Sequence, residues 1–173
     1  MVRSDEFRGL LSRILDAAIA ECGAIKGNVQ LLDAGRGALR IEVQRGFDAS
    51  FLQLFEQVRI DEPSACGRAF RQRRRVVIPD VTLDPLYAPY LSIARANHFR
   101  CVQSTPILAN DGSVLGIFST HFPLAHQFSE KMAGTLDRYA ARMARLIEEF
   151  SKDKVGGGTA APATGSSRRP VSA

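Results

Sequence analysis

Residues 101–122 read CVQSTPILANDGSVLGIFSTHF, two extended apolar runs on either side of Asn110-Asp111-Gly112. Asn, Asp and Gly tolerate the positive φ angles of a tight hairpin turn, so Cys101–Leu108 and Val114–Phe122 are predicted to pair antiparallel. Upstream, Asn28–Leu32 and Ala38–Val43 flank DAGRG, where Gly35 and Gly37 are expected to supply the positive φ angles of a first hairpin. VVIPDV at 76–81 reads as a short strand stopped by Pro79. Helices fill the intervals. The first runs from about Ser4, a natural N-cap with Asp5 and Glu6 in its first turn, to Cys22, with Phe7, Leu11, Ile14 and Ala18 on one stripe. Short helices are expected over Asp48–Phe55, from about Cys66 behind a Ser64 cap, and within DPLYAPYLSIARAN behind Asp84-Pro85. The longest covers Ser129–Phe150, where Met132, Leu136, Tyr139, Met143, Leu146 and Phe150 repeat at steps of four and three. Helix, hairpin, small helices around one strand, hairpin, long helix is an α+β order with a mainly antiparallel sheet.

The composition bounds the function classes. With 173 residues, 45% of them hydrophobic, 24% charged, and a mean hydropathy of −0.07, the chain is neither disordered throughout nor membrane-spanning. Acidic residues interrupt the N-terminus, which is not a secretory signal. Three widely spaced cysteines, Cys22, Cys66 and Cys101, read as reduced thiols, which places the protein in the cytoplasm. The net charge is +5, but Arg168 and Arg169 lie in the tail, and residues 1–154 carry 21 basic and 18 acidic groups. That excess is too small to argue for nucleic acid. A composition break after Lys154 divides a folded domain, 1–154, from a Gly/Ala/Pro/Ser tail, 155–173, expected to be disordered.

The strings GNVQLLD (27–33), SACGRAF (64–70), VVIPDV (76–81), STPIL (104–108) and DGSVLGIFSTHF (111–122) together resemble the GAF domain, a sensory module related in architecture to PAS domains. The likeness spans roughly residues 4–150 and is nearest to the GAF inputs of bacterial sensor histidine kinases, although no stretch after Lys154 reads as a kinase core. The resemblance implies a sheet of five to six strands with the terminal helices on one face and the small helices on the other. It also implies a small-molecule ligand of unknown identity between sheet and small helices. Helices 4–22 and 129–150 would join two copies into a homodimer, with a histidine kinase or another two-component signalling protein as partner. Arg142, Arg145, Glu148 and Glu149 beside the long seam fit such pairing.

Polar residues inside apolar strands are the candidate ligand-binding groups. Asn28 and Gln30 share a face of their strand. Val102, Ser104 and Pro106 share one face of theirs, opposite to Cys101, Gln103 and Thr105, and Ser119 and His121 are expected on the face of Leu115 and Ile117. A buried amide or imidazole without a partner costs on the order of 1–3 kcal/mol, so these groups either satisfy one another or converge on a polar pocket. Cys66, in a helix first turn with Arg68 nearby, is expected to have a lowered pKa. ACG resembles the catalytic cysteine site of GAF-type enzymes that reduce free methionine sulfoxide. Those enzymes carry acidic residues where this chain has Ser119 and His121, and resolving cysteines at spacings that Cys22 and Cys101 do not match. The non-enzymatic reading is therefore preferred, with the reductase and a ligand-free dimerisation module as alternatives. Arg68, Arg71, Arg73, Arg74 and Arg75 suit either an anion or a solvated face, and the solvated face is preferred. His98, His121 and His126 show no metal-ligand spacing.

Overall fold

The computed structural model describes residues 2–156. In chain order these form α1 (Val2–Cys22), β1 (Lys26–Asp33), β2 (Ala38–Arg45), α2 (Ala49–Leu54), β3 (Gln57–Arg59), α3 (Ala65–Gln72) and β4 (Val76–Ile78). A 3-10 helix (Pro85–Tyr90), α4 (Leu91–Ala96), β5 (Cys101–Leu108), β6 (Val114–Phe122) and α5 (Glu130–Gly156) complete them. The strands make one six-stranded sheet of order β3-β2-β1-β6-β5-β4, antiparallel at every pairing. The expected disordered segment 155–173 lies almost wholly outside the described residues.

Each hairpin closes through one glycine at positive φ. Gly112 (φ +80°) ends the second turn, whose Asp111 carboxylate accepts from Ser113 N at 2.9 Å. In the first turn Gly37 (φ +58°) does this alone; Gly35, expected to share the role, does not adopt a positive φ. Gly116 is required for a different reason. A Cβ there would stand 2.2 Å from the Gln30 carbonyl oxygen, so only glycine lets β6 approach β1 so closely.

Two cores lie on opposite sides of the sheet. Leu11, Leu15 and Ala18 of α1 meet Val29, Ile107 and Phe118 of the sheet and Leu136, Tyr139, Met143 and Ile147 of α5. Leu39, Phe47, Phe51, Phe55, Ile78, Tyr87, Phe99 and Ile117 form the other core beneath the small helices. Each fully buried Leu, Ile or Phe contributes roughly 1.5–3 kcal/mol to holding these layers. Leu115 packs with the first of these cores, not beside Ile117 as alternation predicted. The β5–β6 register shifts at Ile107/Leu108, and such an irregularity breaks the period of two.

α1 and α5 run antiparallel, with the Phe7 and Phe150 rings 5.3 Å apart at one end. At the other, Glu21 accepts from Tyr139 Oη at 2.7 Å and from Arg138 Nη2 at 2.8 Å. Leu136, Tyr139 and Met143 of the predicted seam are buried, whereas Met132, Leu146 and Phe150 are half-buried and Ala140, Ala144 and Ile147 complete the stripe. Glu148, expected beside a helix–helix seam, instead accepts from Asn110 N and Nδ2, both at 3.1 Å, and ties the hairpin tip to α5.

Candidate functional site

Strand register sets the floor of the site. Asn28 lies opposite Ser119, and Ser119 opposite Ser104, so the three form a row across β1, β6 and β5. His121 lies opposite Val102 in the neighbouring row, and Gln30 opposite Ile117 on the far side. The roof comes from the small helices. Asp48 caps α2, accepting from Phe51 N at 2.8 Å, and Phe51 and Phe55 descend one turn apart. Ser64 caps α3, accepting from Gly67 N at 3.2 Å, and brings Ser64, Ala65 and Cys66 over the sheet. Asp84 caps the 3-10 helix, accepting from Leu86 N at 2.9 Å, and turns Tyr87 inward.

Asn28, Gln30, Cys66, Ser104, Ser119 and His121, the six residues singled out from sequence, line one cavity between floor and roof. Phe51, Phe55, Ser64, Ala65, Tyr87 and Val102 line it with them. Val102 was legible from strand alternation and Phe51 with Phe55 from their helical spacing; Tyr87 carried no such signal. The cavity leaves about 20 Å³ to the centre of a water-sized sphere, room for one water.

The floor is only partly self-satisfied. Ser104 and Ser119 share a hydrogen bond of 2.7 Å, and on the other face Gln103 Nε2 donates to Thr120 Oγ1 at 3.0 Å. Asn28 Oδ1, Gln30 Oε1 and His121 Nδ1 are buried without a hydrogen-bond partner among the described residues. The His121 ring stands edge-on to Phe47, Phe99 and Phe51, with centroids at 4.9, 4.6 and 5.9 Å. Burial, seconded by the Lys26 ammonium, pushes its pKa down to about 3, so the imidazole is neutral near pH 7. The site therefore offers neutral hydrogen-bonding groups inside an aromatic shell.

Cys66 departs from expectation. Its thiol is buried, and desolvation pushes its pKa up; hydrogen bonds, first that of Ser64 Oγ 3.3 Å away, only partly offset this. Cys22 and Cys101 pack in the α1/α5 core on the opposite face of the sheet, so neither can reach it. The arginine run is not a uniform solvated face either. Arg73 and Arg74 are exposed, and Arg71 donates to the Ile60 and Glu62 carbonyls at 2.8 and 2.9 Å. Arg75 is largely buried, donating to Thr105 Oγ1 at 2.9 Å and Ala133 O at 3.1 Å and pairing with Asp137. Arg68 pairs with Asp84 at 2.9 Å. Among the described residues no cluster of three or more His, Cys, Asp or Glu suits a metal, and no helix is long and apolar enough to cross a membrane.

No curated protein gives a significant match to the chain. Solved structures do. A domain assigned to a two-component sensor histidine kinase protein of Sinorhizobium meliloti 1021 is 15% identical with a TM-score of 0.73, over 87% of this chain and 96% of that one. The type II free methionine-R-sulfoxide reductase of Thermoplasma acidophilum is 17% identical with a TM-score of 0.70, over 86% and 96%. Residues 122 to 287 of a methyl-accepting chemotaxis protein are 19% identical with a TM-score of 0.67, over 88% and 98%. At these identities the likeness speaks for the fold. The GAF domain family model matches residues 4–148, nearly all of the two-core architecture described above, and the chain belongs to the GAF domain family.

Proposed function

We propose that this GAF domain is a cytoplasmic, non-enzymatic sensor of a small molecule in bacterial signal transduction, acting as a homodimer through α1 and α5 on a histidine kinase or another signalling protein. One observation carries the reading: Asn28 Oδ1, Gln30 Oε1 and His121 Nδ1, all buried and unpartnered, belong to residues lining a single cavity. Three such groups together cost several kcal/mol in an apolar core unless something meets them, at about 1–3 kcal/mol each. A small molecule with N–H or O–H groups meets the two amide oxygens, which only accept.

The small volume adds to the mechanism. Anything larger than water enters only if Phe51, Phe55, Tyr87 or the start of α3 gives way, so binding and displacement of the small helices are one event. A ligand shifts an equilibrium by its differential affinity for the two packings, and a closed roof makes that difference large. Beyond the C-terminal end of α3, Arg75 fastens β4 to α5 through Ala133 O and Asp137, which offers a route to the dimer helices. The buried, unactivated Cys66 and the absence of a second thiol on its side of the sheet favour sensing over reduction.

Native mass spectrometry of freshly purified protein against its denatured mass tests this. A dimer carrying a small extra mass that denaturation releases is the expected result. An unliganded dimer favours a dimerisation module, and an unliganded monomer overturns both the ligand and the interface.

A further inference from the structure

Asn28 and Gln30 place two carboxamides on one face of β1, a central strand of the sheet. They are 3% and 1% exposed, and Asn28 Oδ1 and Gln30 Oε1 have no hydrogen-bond partner among the described residues. Two residues apart on a strand, their Cα atoms stand about 6–7 Å from each other. The Ser104 and Ser119 hydroxyls in the row of Asn28 bond to each other at 2.7 Å and leave its oxygen unmet. Both carboxamides line the cavity under the small helices. A buried amide without a partner is costly, and an apolar residue of similar size would not carry that cost.

The charge of the lining is as informative as its polarity. Of the twelve residues that line the cavity, none is Asp, Glu, Lys or Arg. The His121 imidazole, enclosed by Phe47, Phe51 and Phe99, is neutral. A charged ligand would lose its hydration here and meet no opposite charge, a penalty that hydrogen bonds alone do not offset. Each sign has a further obstacle. Lys26 lies opposite His121 in the β1–β6 register, its ammonium 5.7 Å from the Phe47 ring centroid, so that end of the floor already has a cation behind it. An anion suits the amino end of α3, but Ser64 Oγ already accepts from Gly67 N there at 3.2 Å, and the unmet amide oxygens repel it.

A carboxamide presents a C=O and an N–H₂ side by side. Its complement is a second edge of the same kind, an N–H beside an acceptor, as in the pairing of Asn or Gln with adenine. We propose that the molecule held in the cavity is small, uncharged and carries an amide edge, as a carboxamide, lactam or urea does. Its N–H donates to the Asn28 or Gln30 oxygen and its C=O accepts from a carboxamide N–H₂. The flat group also suits the aromatic walls of Phe51, Phe55 and Tyr87. The assignment rests on the sensing function proposed above and names the class of molecule sensed. It makes Asn28 and Gln30 the residues that set specificity.

The test titrates the full chain, labelled with ¹⁵N and ¹³C, with formamide, sodium formate and formamidinium chloride, at ionic strength matched with sodium chloride. The three probes are flat and equal in heavy atoms, and differ in charge. Formamidinium carries more N–H donors than formamide, so it binds best if donors alone decide. The side-chain amide resonances of Asn28 and Gln30 are followed, each assigned through bonds to its own backbone. Formamide is expected to shift both saturably, with an affinity about tenfold or more above that of either ion. Asn28→Leu, which removes a carboxamide at similar volume, is expected to weaken formamide about tenfold or more. Saturable binding of formate or formamidinium at these resonances, as tight as that of formamide or tighter, overturns the uncharged class while sensing stands. Undiminished binding of formamide to Asn28→Leu removes the carboxamide from recognition and overturns the assignment. Silence with all three probes also overturns it, and the native mass measurement described above then decides sensing on its own. The comparison of the three probes in the unaltered protein needs no variant to fold.

Discussion

His121 gives the most direct quantitative test of a dry, aromatic-walled site. Its pKa is held down to about 3 against an ordinary value of 6.5, first by burial and then by Lys26. Between those values the unfolded chain binds a proton that the fold does not, so stability is full above pH ~6.5 and drains as the pH falls toward ~3. At about pH 5 the unfolded imidazole is ~1.5 units past its midpoint, and at ~1.4 kcal/mol per unit the fold has lost about 2 kcal/mol relative to neutral pH. That is a large share of the roughly 5–15 kcal/mol that holds a domain together. Most unpaired carboxylates are still ionised in both states at about pH 5, which isolates the effect. The perturbation is His121→Phe, which keeps a ring among Phe47, Phe51 and Phe99 and removes the titration. The assay is urea unfolding at about pH 7 and pH 5, at fixed protein concentration because the apparent stability of the proposed dimer would depend on it. The original protein is expected to lose about 2 kcal/mol more than the variant across that interval. Equal losses would refute the reasoning, since His121 would then titrate as an exposed histidine does and the cavity floor would be wet.

Gly116→Ala drives a Cβ to within 2.2 Å of the Gln30 carbonyl, a backbone atom that cannot swing away; a loss of about 2 kcal/mol or more in urea unfolding is expected, and a neutral result would show that β1 and β6 yield. Ser64→Ala removes the α3 cap and exposes the Gly67 N–H to the core, for an expected loss of about 1 kcal/mol, and a saturable ligand signal surviving it intact would mean that the start of α3 is not part of the roof. All three cysteines are buried; thiol reagents at neutral pH are expected to label none of them in the folded protein and all of them in urea, and rapid labelling of Cys66 in the fold would revive the reductase alternative.

Much of the architecture could be read from local signals because those signals coincided with the tertiary structure. Asn110-Asp111-Gly112 set the second hairpin, and its two strands span the residues their apolar runs suggested. β3 escaped notice: three residues, Gln57–Arg59, with only Val58 buried, carry no period to detect. DPLYAPYLSIARAN reads as one helical stretch, yet it begins as 3-10, because Pro89 lacks an N–H and restricts Ala88 before it. The site was legible as a list of polar residues on strand faces, since burial of those faces follows from alternation. What alternation cannot say is which of them pair. Ser104 and Ser119 turned out to satisfy each other, whereas Asn28 and Gln30 keep unmet oxygens. Cys66 misled for a related reason: the helix first turn was evident, but the depth of its burial, which reverses the sign of the pKa shift, is a property of the whole roof. The arginines of 68–75 meet different fates because only Arg68 and Arg71 lie on α3, while Arg73 caps its end and Arg74 and Arg75 lead into β4.

The two cores share no residue, because β6 alternates His121 into one and Phe122 into the other. That partition has an evolutionary consequence. Under the sensing function proposed above, substitutions that remodel the side of the sheet beneath the small helices leave the α1/α5 side chains untouched, so specificity can drift over generations while the proposed output surface is conserved. In a lineage of such domains, mutational tolerance should be greatest among the roof residues of α2, α3 and the 3-10 helix. It should be least at Gly116, where the two central strands meet too closely for any other residue.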